Sequence, residues 1–322
     1  ESLAAREAAL AGGTAAGAAS WFDLMTAAAF WIFAHERVAW AVIEVGLGGR
    51  LDSTNVVRGE VFIVTTIDLE HTSILGSTRA AIAAEKAGIL KAGGTLIAGV
   101  LPDARRSAED DAGAVLREHA RAVGVEARWL GTGPLTSITR HNRELAALAL
   151  DELGRRGLHS FSGAPVDRGL LGGLGPGDLR LPGRMERTSH QGIPMVLDGA
   201  HVAFCLPLVL GELRAEARFQ GYALGILALG ADKDAAAFLK ALREATDTVA
   251  CTYVEGSLHR QPEELCALAR ELGFVAEACA TPALALAWAS ARAANRWILA
   301  TGSLYLAGAL RPLLADSGNA RS

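Results

Sequence analysis

The chain has 322 residues, of which 51% are apolar and 20% charged, and its formal net charge is −4. This composition excludes a mainly disordered chain, and 31 Lys and Arg against 35 Asp and Glu give no basic field for non-specific nucleic-acid binding. The length predicts two domains. The longest apolar stretch, residues 24–34, is shorter than the ~20 residues that span a bilayer, so no membrane segment is predicted.

The first half of the chain repeats a short β-branched run, a turn with glycine and an Ala/Leu-rich stretch of helical periodicity. This pattern is typical of parallel α/β architecture. The predicted strands are Val38–Val45, Val61–Ile67, Gly94–Val100 and Val125–Leu130, and the predicted helices are Trp21–His35, Ser77–Leu90, Asp103–Val123 and Thr139–Arg156.

A stretch rich in Gly and Pro, residues 172–184, predicts loops and a hinge before a second α/β series begins. We place the domain boundary between residues 187 and 188, so that the predicted domains are 1–187 and 188–322. The second series has predicted strands Met195–Leu197, Ala223–Ala228, Thr248–Tyr253 and Trp297–Thr301, and predicted helices Ala203–Arg218, Asp234–Glu244, Pro262–Leu272 and Thr281–Asn295.

The densest cluster of candidate functional residues is the segment EVGLGGRLDSTN, residues 44–55, which follows the first predicted strand. Its glycines permit close approach of a ligand, and ligands of open α/β sheets collect at the carboxyl ends of strands. Glu44 is placed there to hold a hard cation such as Mg²⁺. The alternative is a turn with a solvated carboxylate, since the sequence has no complete GxGxxG or GxxxxGK[ST].

His71 follows another strand end and is either a metal ligand or base, or a structural hydrogen-bonding residue. Periodicity does not distinguish Lys86 from Lys91, since both read as lysines on a helix surface. In the second half, Asp198-Gly199-Ala200-His201 repeats the pattern of strand, acidic residue, glycine and histidine. Its alternative is a helix N-terminus that Asp198 caps.

Other polar positions carry weaker signals. Residues 230–234 and 301–303 are strand-to-helix turns that could be caps alone, and the absence of GxSxG argues against a serine hydrolase. His35, His119 and His259 are expected to lie in helical or loop contexts without a partner. Cys205, Cys251, Cys266 and Cys279 are expected to be buried free thiols of a reducing cytoplasm.

Taken in order, these segments resemble the folylpolyglutamate synthase and dihydrofolate synthase family of the Mur-ligase superfamily. Residues 44–55 resemble the family signature almost letter for letter. The supporting segments are SWFD (20–23), DLEHTSILG (68–76), AEKAGILK (84–91), PGRME (182–186), DGAH (198–201), DKD (232–234) and TGSLY (301–305).

The resemblance implies a Mur-ligase-like central ATPase domain, incomplete at its N-terminus, and a smaller Rossmann-like C-terminal glutamate-ligase domain. It implies an ADP-forming, Mg²⁺-dependent ligase that joins L-glutamate to dihydropteroate or a reduced folate through an acyl phosphate. The substrates would be that acceptor, L-glutamate and ATP, and the protein would be a cytoplasmic monomer.

The resemblance also implies roles for individual residues. Glu44 and His71 would be Mg²⁺ ligands, and Lys86 would carry a carbamate that supports the metal site. The pterin or pteroate pocket would be lined by Ser20, Trp21, Phe22, Asp23, Leu51, Asp52 and Ser53, while ATP would be contacted by Arg184, Asp198 and His201.

The sequence departs from the family on the ATP side. The family's phosphate loop of the GTNGKGS kind is not found in the 322 residues and is expected upstream of Glu1 in a longer chain. Asn142 and Leu145 replace a Gln and an Asn of the family, and Val202-Ala203 replaces Asn-Pro. The alternative hypothesis is therefore a non-catalytic folate- or pterin-binding paralogue.

Overall fold

The structure is a computed structural model that describes residues 19–131, 135–174 and 181–315. Within them the chain forms two compact units. The first contains residues 19–131 and 141–172, and the second contains the remaining described residues. The predicted boundary between residues 187 and 188 falls inside a strand, Glu186–His190, so the structure divides the chain earlier. The roles assigned to the two domains stay predictions.

The first unit is built on a parallel sheet of three strands in the order β1-β2-β3. The strands are β1 (Val61–Val64), β2 (Thr95–Ala98) and β3 (Glu126–Trp129), and the helices are α1 (Trp21–His35), α2 (Thr72–Leu75), α3 (Arg79–Ala87), α4 (Ala112–Ala122) and α5 (Ile138–Arg155). Buried side chains from strands and helices, such as Ile82, Leu96 and Leu116, form its core. Three predicted strands are confirmed here.

Helix α1 has the predicted bounds because Ser20 and Asp23 form a reciprocal capping box at its start. None of its residues is buried, and the indole of Trp21 is 74% exposed. The predicted strand Val38–Val45 is wrong, since these residues have no regular secondary structure and pair with no strand among the described residues. Val42 is 98% exposed there.

The second unit contains a six-stranded sheet in the order β4-β5-β9-β6-β7-β8, in which only the β4-β5 pair is antiparallel. The strands are β4 (Glu186–His190), β5 (Ile193–Leu197), β6 (Leu224–Leu227), β7 (Thr248–Cys251), β8 (Val275–Ala278) and β9 (Ile298–Thr301). The helices are α6 (Cys205–Leu213), α7 (Ala235–Leu242), α8 (Pro262–Glu271), α9 (Pro282–Ser290) and α10 (Leu304–Ala315). The predicted α/β class is confirmed.

Several helices are shorter than predicted. Residues 103–111 are irregular. The Asp111 carboxylate accepts a hydrogen bond from the Ala114 amide as the N-cap of α4, so the helix begins later than periodicity predicts. The cysteines are free, as expected, but Cys205 is only half-buried. None of the helices in the described residues combines the length and the apolar composition that a membrane span requires.

The side chain of Glu152 is 0% exposed and connects α5 to the sheet of the first unit. Its carboxylate accepts hydrogen bonds from Thr95 Oγ1 at 2.8 Å and from Arg155 and Arg156 at 2.7 Å. Arg128 lies 2.9 Å from the second oxygen. Burial opposes ionisation, but the hydrogen bonds from Arg156, Thr95 and Arg155 outweigh it, so the pKa of Glu152 is lowered.

We predict that Glu152→Ala lowers the free energy of unfolding by about 3–5 kcal/mol, because it removes the buried carboxylate that pairs with three guanidinium groups and leaves those charges without their shared partner. Glu126→Ala is the matched control, since Glu126 is 58% exposed and should cost less than about 1 kcal/mol. Urea denaturation followed by circular dichroism measures both variants. Because folding lowers the pKa, the contribution of Glu152 is complete above its ordinary pKa and is lost as the pH falls. Equal effects of the two variants would contradict this account.

Candidate functional site

The glycine-rich segment after Glu44 packs directly against the last turn of α3. The amide of Arg50 donates to the carbonyl of Glu85 at 2.8 Å, and the Arg50 guanidinium pairs with the Glu85 carboxylate at 3.0 Å. A Cβ atom at Gly88 would lie 2.4 Å from Cβ of Arg50. A Cβ atom at Gly49 would lie 3.1 Å from the carbonyl oxygen of Lys86. Only residues without side chains allow the two backbones to approach so closely.

Asp52 organises this segment from within. One carboxylate oxygen accepts from the Leu47 amide at 2.9 Å, and the other accepts from the Thr54 amide at 3.0 Å. Burial opposes the charge, but the hydrogen bonds from Thr54 and Leu47 outweigh it and lower the pKa of Asp52. The carboxylate therefore shapes the loop, and its predicted contact with substrate stays a prediction.

The predicted pocket residues of α1 contact the same segment. The Ser53 hydroxyl donates to the Asp23 carboxylate, and the Phe22 ring lies against the backbone of Gly46. The hydrogen bond from Ser53 and a second one from Ser20 lower the pKa of Asp23. The structure thus brings together the two predicted halves of the pteroate pocket, which also contain the exposed side chains of Trp21 and Leu51.

His71 lies at the start of α2 with a left-handed backbone, φ 50°, and its Nε2 atom is 3.5 Å from a Glu70 carboxylate oxygen. Leu75, on the same short helix, would be 2.8 Å from a Cβ atom at Gly48. The His71 segment and the last turn of α3 therefore both contact the glycine-rich segment that begins after Glu44. The three segments predicted to form the metal site are adjacent.

Within the described part of the chain, no three His, Cys, Asp or Glu side chains are grouped to hold a metal ion by themselves. Glu44 is exposed, and the half-buried Lys86 has no ion pair or hydrogen bond from its ammonium to a described residue. Mg²⁺ commonly takes one or two protein ligands and completes its shell with water and phosphate oxygens. The Glu44 carboxylate is of the right chemical type for that partial shell, whereas the imidazole of His71 is a nitrogen ligand, and its role at the metal stays a prediction from the family resemblance.

A second group of predicted residues meets at the carboxyl edge of the sheet in the second unit. Asp198, directly after β5, accepts hydrogen bonds from the amides of Met185 at 2.8 Å and Ala200 at 2.9 Å. Its own amide donates to the Ala300 carbonyl on β9. Burial raises the pKa of Asp198, although both amides and Arg184 favour the charged form.

The other predicted ATP contacts adjoin Asp198. Arg184 is exposed, and it precedes Met185, whose amide donates a hydrogen bond to the Asp198 carboxylate. The His201 ring faces the carbonyl of Gly199 at 3.0 Å through Nδ1, so that nitrogen carries the proton, because a carbonyl oxygen only accepts. The structure therefore groups Arg184, Asp198 and His201, and their contact with ATP, which the family resemblance implies, stays a prediction.

The expectation that His259 has no partner is wrong. Its Nε2 atom lies 2.8 Å from Oγ of Ser303, and its ring stacks edge to face with Tyr305. Ser303 stands 44 residues further along the chain, so local spacing contains no sign of the pair. His35 also has a contact, since its ring stacks on Trp31.

Comparisons of sequence and of structure with known proteins point to the same family. No family model matches the chain. It is 30% identical over 303 residues to the dihydrofolate synthase/folylpolyglutamate synthase of Escherichia coli, covering 89% of this chain and 67% of that protein. It is 31% identical to the dihydrofolate synthetase of Saccharomyces cerevisiae, with 90% and 74% covered.

The fold agrees with solved structures. The structure of E. coli FolC in complex with DHPP and ADP matches with a TM-score of 0.74 and 26% identity, over 92% of this chain and 72% of that one. The Mycobacterium tuberculosis folylpolyglutamate synthase complexed with ADP and AMPPCP has the same TM-score and identity, with 73% of its chain covered.

The chain is thus a member of an α/β ligase superfamily, with the Mur-ligase-like architecture that the sequence predicted. It belongs to the folylpolyglutamate synthase and dihydrofolate synthase family. It spans 56% of the M. tuberculosis relative and 46% of the Bacillus subtilis relative.

We predict that Ser53→Ala raises the pKa of Asp23, because it removes the hydrogen bond that lowers that pKa most. Ser20→Ala, which removes the helix cap, should raise it less. Titration of the Asp23 carboxyl by carbon-13 NMR measures both variants, with Thr78→Ala, a cap on α3, as a control that leaves this pKa alone. An unchanged titration in Ser53→Ala would show that α1 does not contact the glycine-rich segment in solution.

Proposed function

We propose that the protein is an ATP-dependent ligase that adds L-glutamate to dihydropteroate, to folate or to their polyglutamates. The observation that carries this proposal is the packing of the segments around Gly49, Lys86 and Leu75 against one another in the first unit. The names of the relatives support the same substrate class. We further propose that the protein works as a monomer and that it lies in the cytoplasm, and its free cysteines support a reducing compartment.

The reaction would proceed in two steps. An oxygen of the acceptor carboxylate attacks the γ-phosphorus of ATP, forming an acyl phosphate and releasing ADP. The neutral amine of glutamate then attacks the acyl carbon, the tetrahedral intermediate expels inorganic phosphate, and one proton leaves as the amide forms. The protein's contribution is to position the reactants and to neutralise charge.

In the first unit, Ser20–Asp23 and Leu51–Ser53 would bind the pteroate part of the acceptor. The exposed indole of Trp21 supplies apolar surface for a flat heterocycle, and the carboxylate of Asp23 stays ionised because hydrogen bonds lower its pKa. A carboxylate of this kind accepts hydrogen bonds from ring N–H and amino groups. Asp52 would keep the loop in shape, since both of its oxygens are used inside it.

Glu44 and His71 would supply protein ligands to Mg²⁺, which neutralises phosphate charge when bound. Lys86 would react as a neutral amine with carbon dioxide, forming a carbamate and releasing one proton. The lack of an ion pair to a described residue leaves its amine available for that reaction. In the second unit, Arg184, Asp198 and His201 would contact ATP, and the exposed guanidinium of Arg184 is suited to phosphate oxygens.

The activity is tested with the protein, Mg²⁺, ATP, dihydropteroate and nitrogen-15-labelled L-glutamate. The proposal predicts a product heavier by one labelled glutamate, with ADP formed in equal amount. Omission of any one substrate should abolish the product. Binding of dihydropteroate without any product would instead support the alternative, a non-catalytic folate- or pterin-binding paralogue.

We predict that Lys86→Arg lowers product formation by about 10–100-fold, as expected for a group that supports a metal site. The matched control is Lys91→Arg, close by in the same motif, which should retain activity. Carbon-13 NMR of protein equilibrated with labelled bicarbonate supplies a readout independent of activity. A carbamate resonance should be present in the unaltered protein and in Lys91→Arg and absent in Lys86→Arg. Its presence in Lys86→Arg would contradict the assignment.

A further inference from the structure

The guanidinium of Arg79 lies between two carboxylates that come from separate segments of the first unit. Its Nη2 atom is 2.5 Å from Oδ1 of Asp68, and its Nη1 atom donates to Oδ1 of Asp110 at 2.6 Å. Asp68 lies in the loop after β1, and Asp110 lies just before α4. Arg79 is the first residue of α3, so it attaches both segments to the start of that helix.

The loop that contains Asp68 leads directly to His71. Within the described residues, no amide or carbonyl of residues 67–69 forms a hydrogen bond with another backbone group. His71 has a left-handed backbone, φ 50°, which residues with a side chain rarely adopt. Such a conformation persists only where the surrounding structure fixes it. The ion pair between Asp68 and Arg79 supplies one anchor, on the side of His71 that comes first in the chain.

A second anchor follows His71. The amides of Ile74 and Leu75 both donate to the His71 carbonyl at 2.9 Å, which closes the short helix α2. The side chain of Leu75 is buried and packs against Gly48. His71 is therefore held from both sides, because α2 contacts the glycine-rich segment and Asp68 contacts α3.

The helix that begins at Arg79 also carries Lys86. The two residues are seven positions apart, or about two turns, so they lie on nearly the same face of α3. The side chains of Arg79 and Asp68 are 32% and 22% exposed, and an ion pair that is partly buried is screened less than one in open solvent. The pair thus fixes the turn that contains His71 on the helix that carries Lys86.

We propose that Arg79 is a positioning residue that holds the turn of residues 68–71 on α3 and thereby sets the place of the His71 imidazole relative to Lys86. This inference rests on the proposed function, in which His71 and Lys86 serve the same Mg²⁺ site. Loss of the guanidinium releases the turn and weakens metal binding, while the sheet and the helices of the unit stay folded.

Hydrogen exchange tests the anchor without any need for activity. Arg79→Ala should speed the exchange of the Ile74 and Leu75 amides by about 3–10-fold, as expected when a partly exposed ion pair that restrains a local opening is lost. Arg79→Lys keeps the positive charge and should exchange at a rate closer to that of the unaltered protein. Circular dichroism checks that each variant is folded.

The matched control is Arg106→Ala. Arg106 also pairs with Asp110, at 2.7 Å, but it does not pair with Asp68. Both variants therefore remove a guanidinium from Asp110, and only Arg79→Ala releases the turn before His71. Equal exchange of the Ile74 and Leu75 amides in the two variants would overturn the inference, and so would faster exchange throughout the first unit in Arg79→Ala, which indicates a purely structural role.

The consequence for the metal is measured by NMR with Mn²⁺ alone as the probe, through its paramagnetic broadening of the His71 ring resonances. The Mn²⁺ concentration that gives half of the broadening should rise about 3–10-fold in Arg79→Ala and stay unchanged in Arg106→Ala. In the ligase assay, the Mg²⁺ concentration for half of the maximal rate should rise by the same factor in Arg79→Ala. The rate at saturating Mg²⁺ should change little.

The outcomes separate this inference from the proposed function. Unchanged Mn²⁺ broadening in Arg79→Ala, in a protein that forms the glutamate adduct, would overturn the inference alone. Absence of ligase product, with exchange and broadening altered only in Arg79→Ala, would overturn the proposed function alone. Absence of Mn²⁺ broadening at His71 in the unaltered protein would overturn both the metal role of His71 and the inference.

Discussion

The site in the first unit depends on a close approach of two backbones. Gly88 sits so near Arg50 that a Cβ atom there would lie 2.4 Å from the Arg50 Cβ, and the Arg50 amide bonds to the Glu85 carbonyl. This approach places the last turn of α3, with Lys86, against the segment that begins after Glu44. The same segment also contacts Asp23, because the hydroxyl of Ser53 donates to the Asp23 carboxylate. A single loop therefore connects the proposed metal residues to the proposed acceptor pocket.

In the second unit, a buried carboxylate brings the predicted site residues together. Asp198 accepts from the amides of Met185 and Ala200, and its own amide bonds to β9. Its charge is costly in a buried position, which is why burial raises its pKa. That cost is offset by amides that would otherwise lack partners. The turn after β9 is held beside this carboxylate, and it presents Ser303 at the carboxyl edge of the sheet.

The sequence predicted those features that local patterns and caps determine. Helix Trp21–His35 begins where it was predicted to begin, because its capping residues, Ser20 and Asp23, lie close together in the sequence. The predicted strand at Val38–Val45 is wrong because a run of apolar residues does not by itself provide a neighbouring strand to pair with. Strand β4 was not predicted because its residues, Glu-Arg-Thr-Ser-His, do not alternate between apolar and polar side chains. The His259–Ser303 pair joins residues 44 positions apart. A functional role for Lys86 was predicted only by the family resemblance, since periodicity alone places this lysine on a helix surface.

The proposed reaction activates the acceptor carboxylate as an acyl phosphate, and this step can be tested by following one oxygen atom of that carboxylate. The acceptor is labelled with oxygen-18 in its carboxylate, and the phosphate released with the amide product is examined by mass spectrometry. Because the attacking carboxylate oxygen leaves with the phosphate, each phosphate should contain one oxygen-18 atom. Release of unlabelled phosphate together with the amide product would show that the acceptor carboxylate does not attack ATP, and an acyl phosphate would then be excluded.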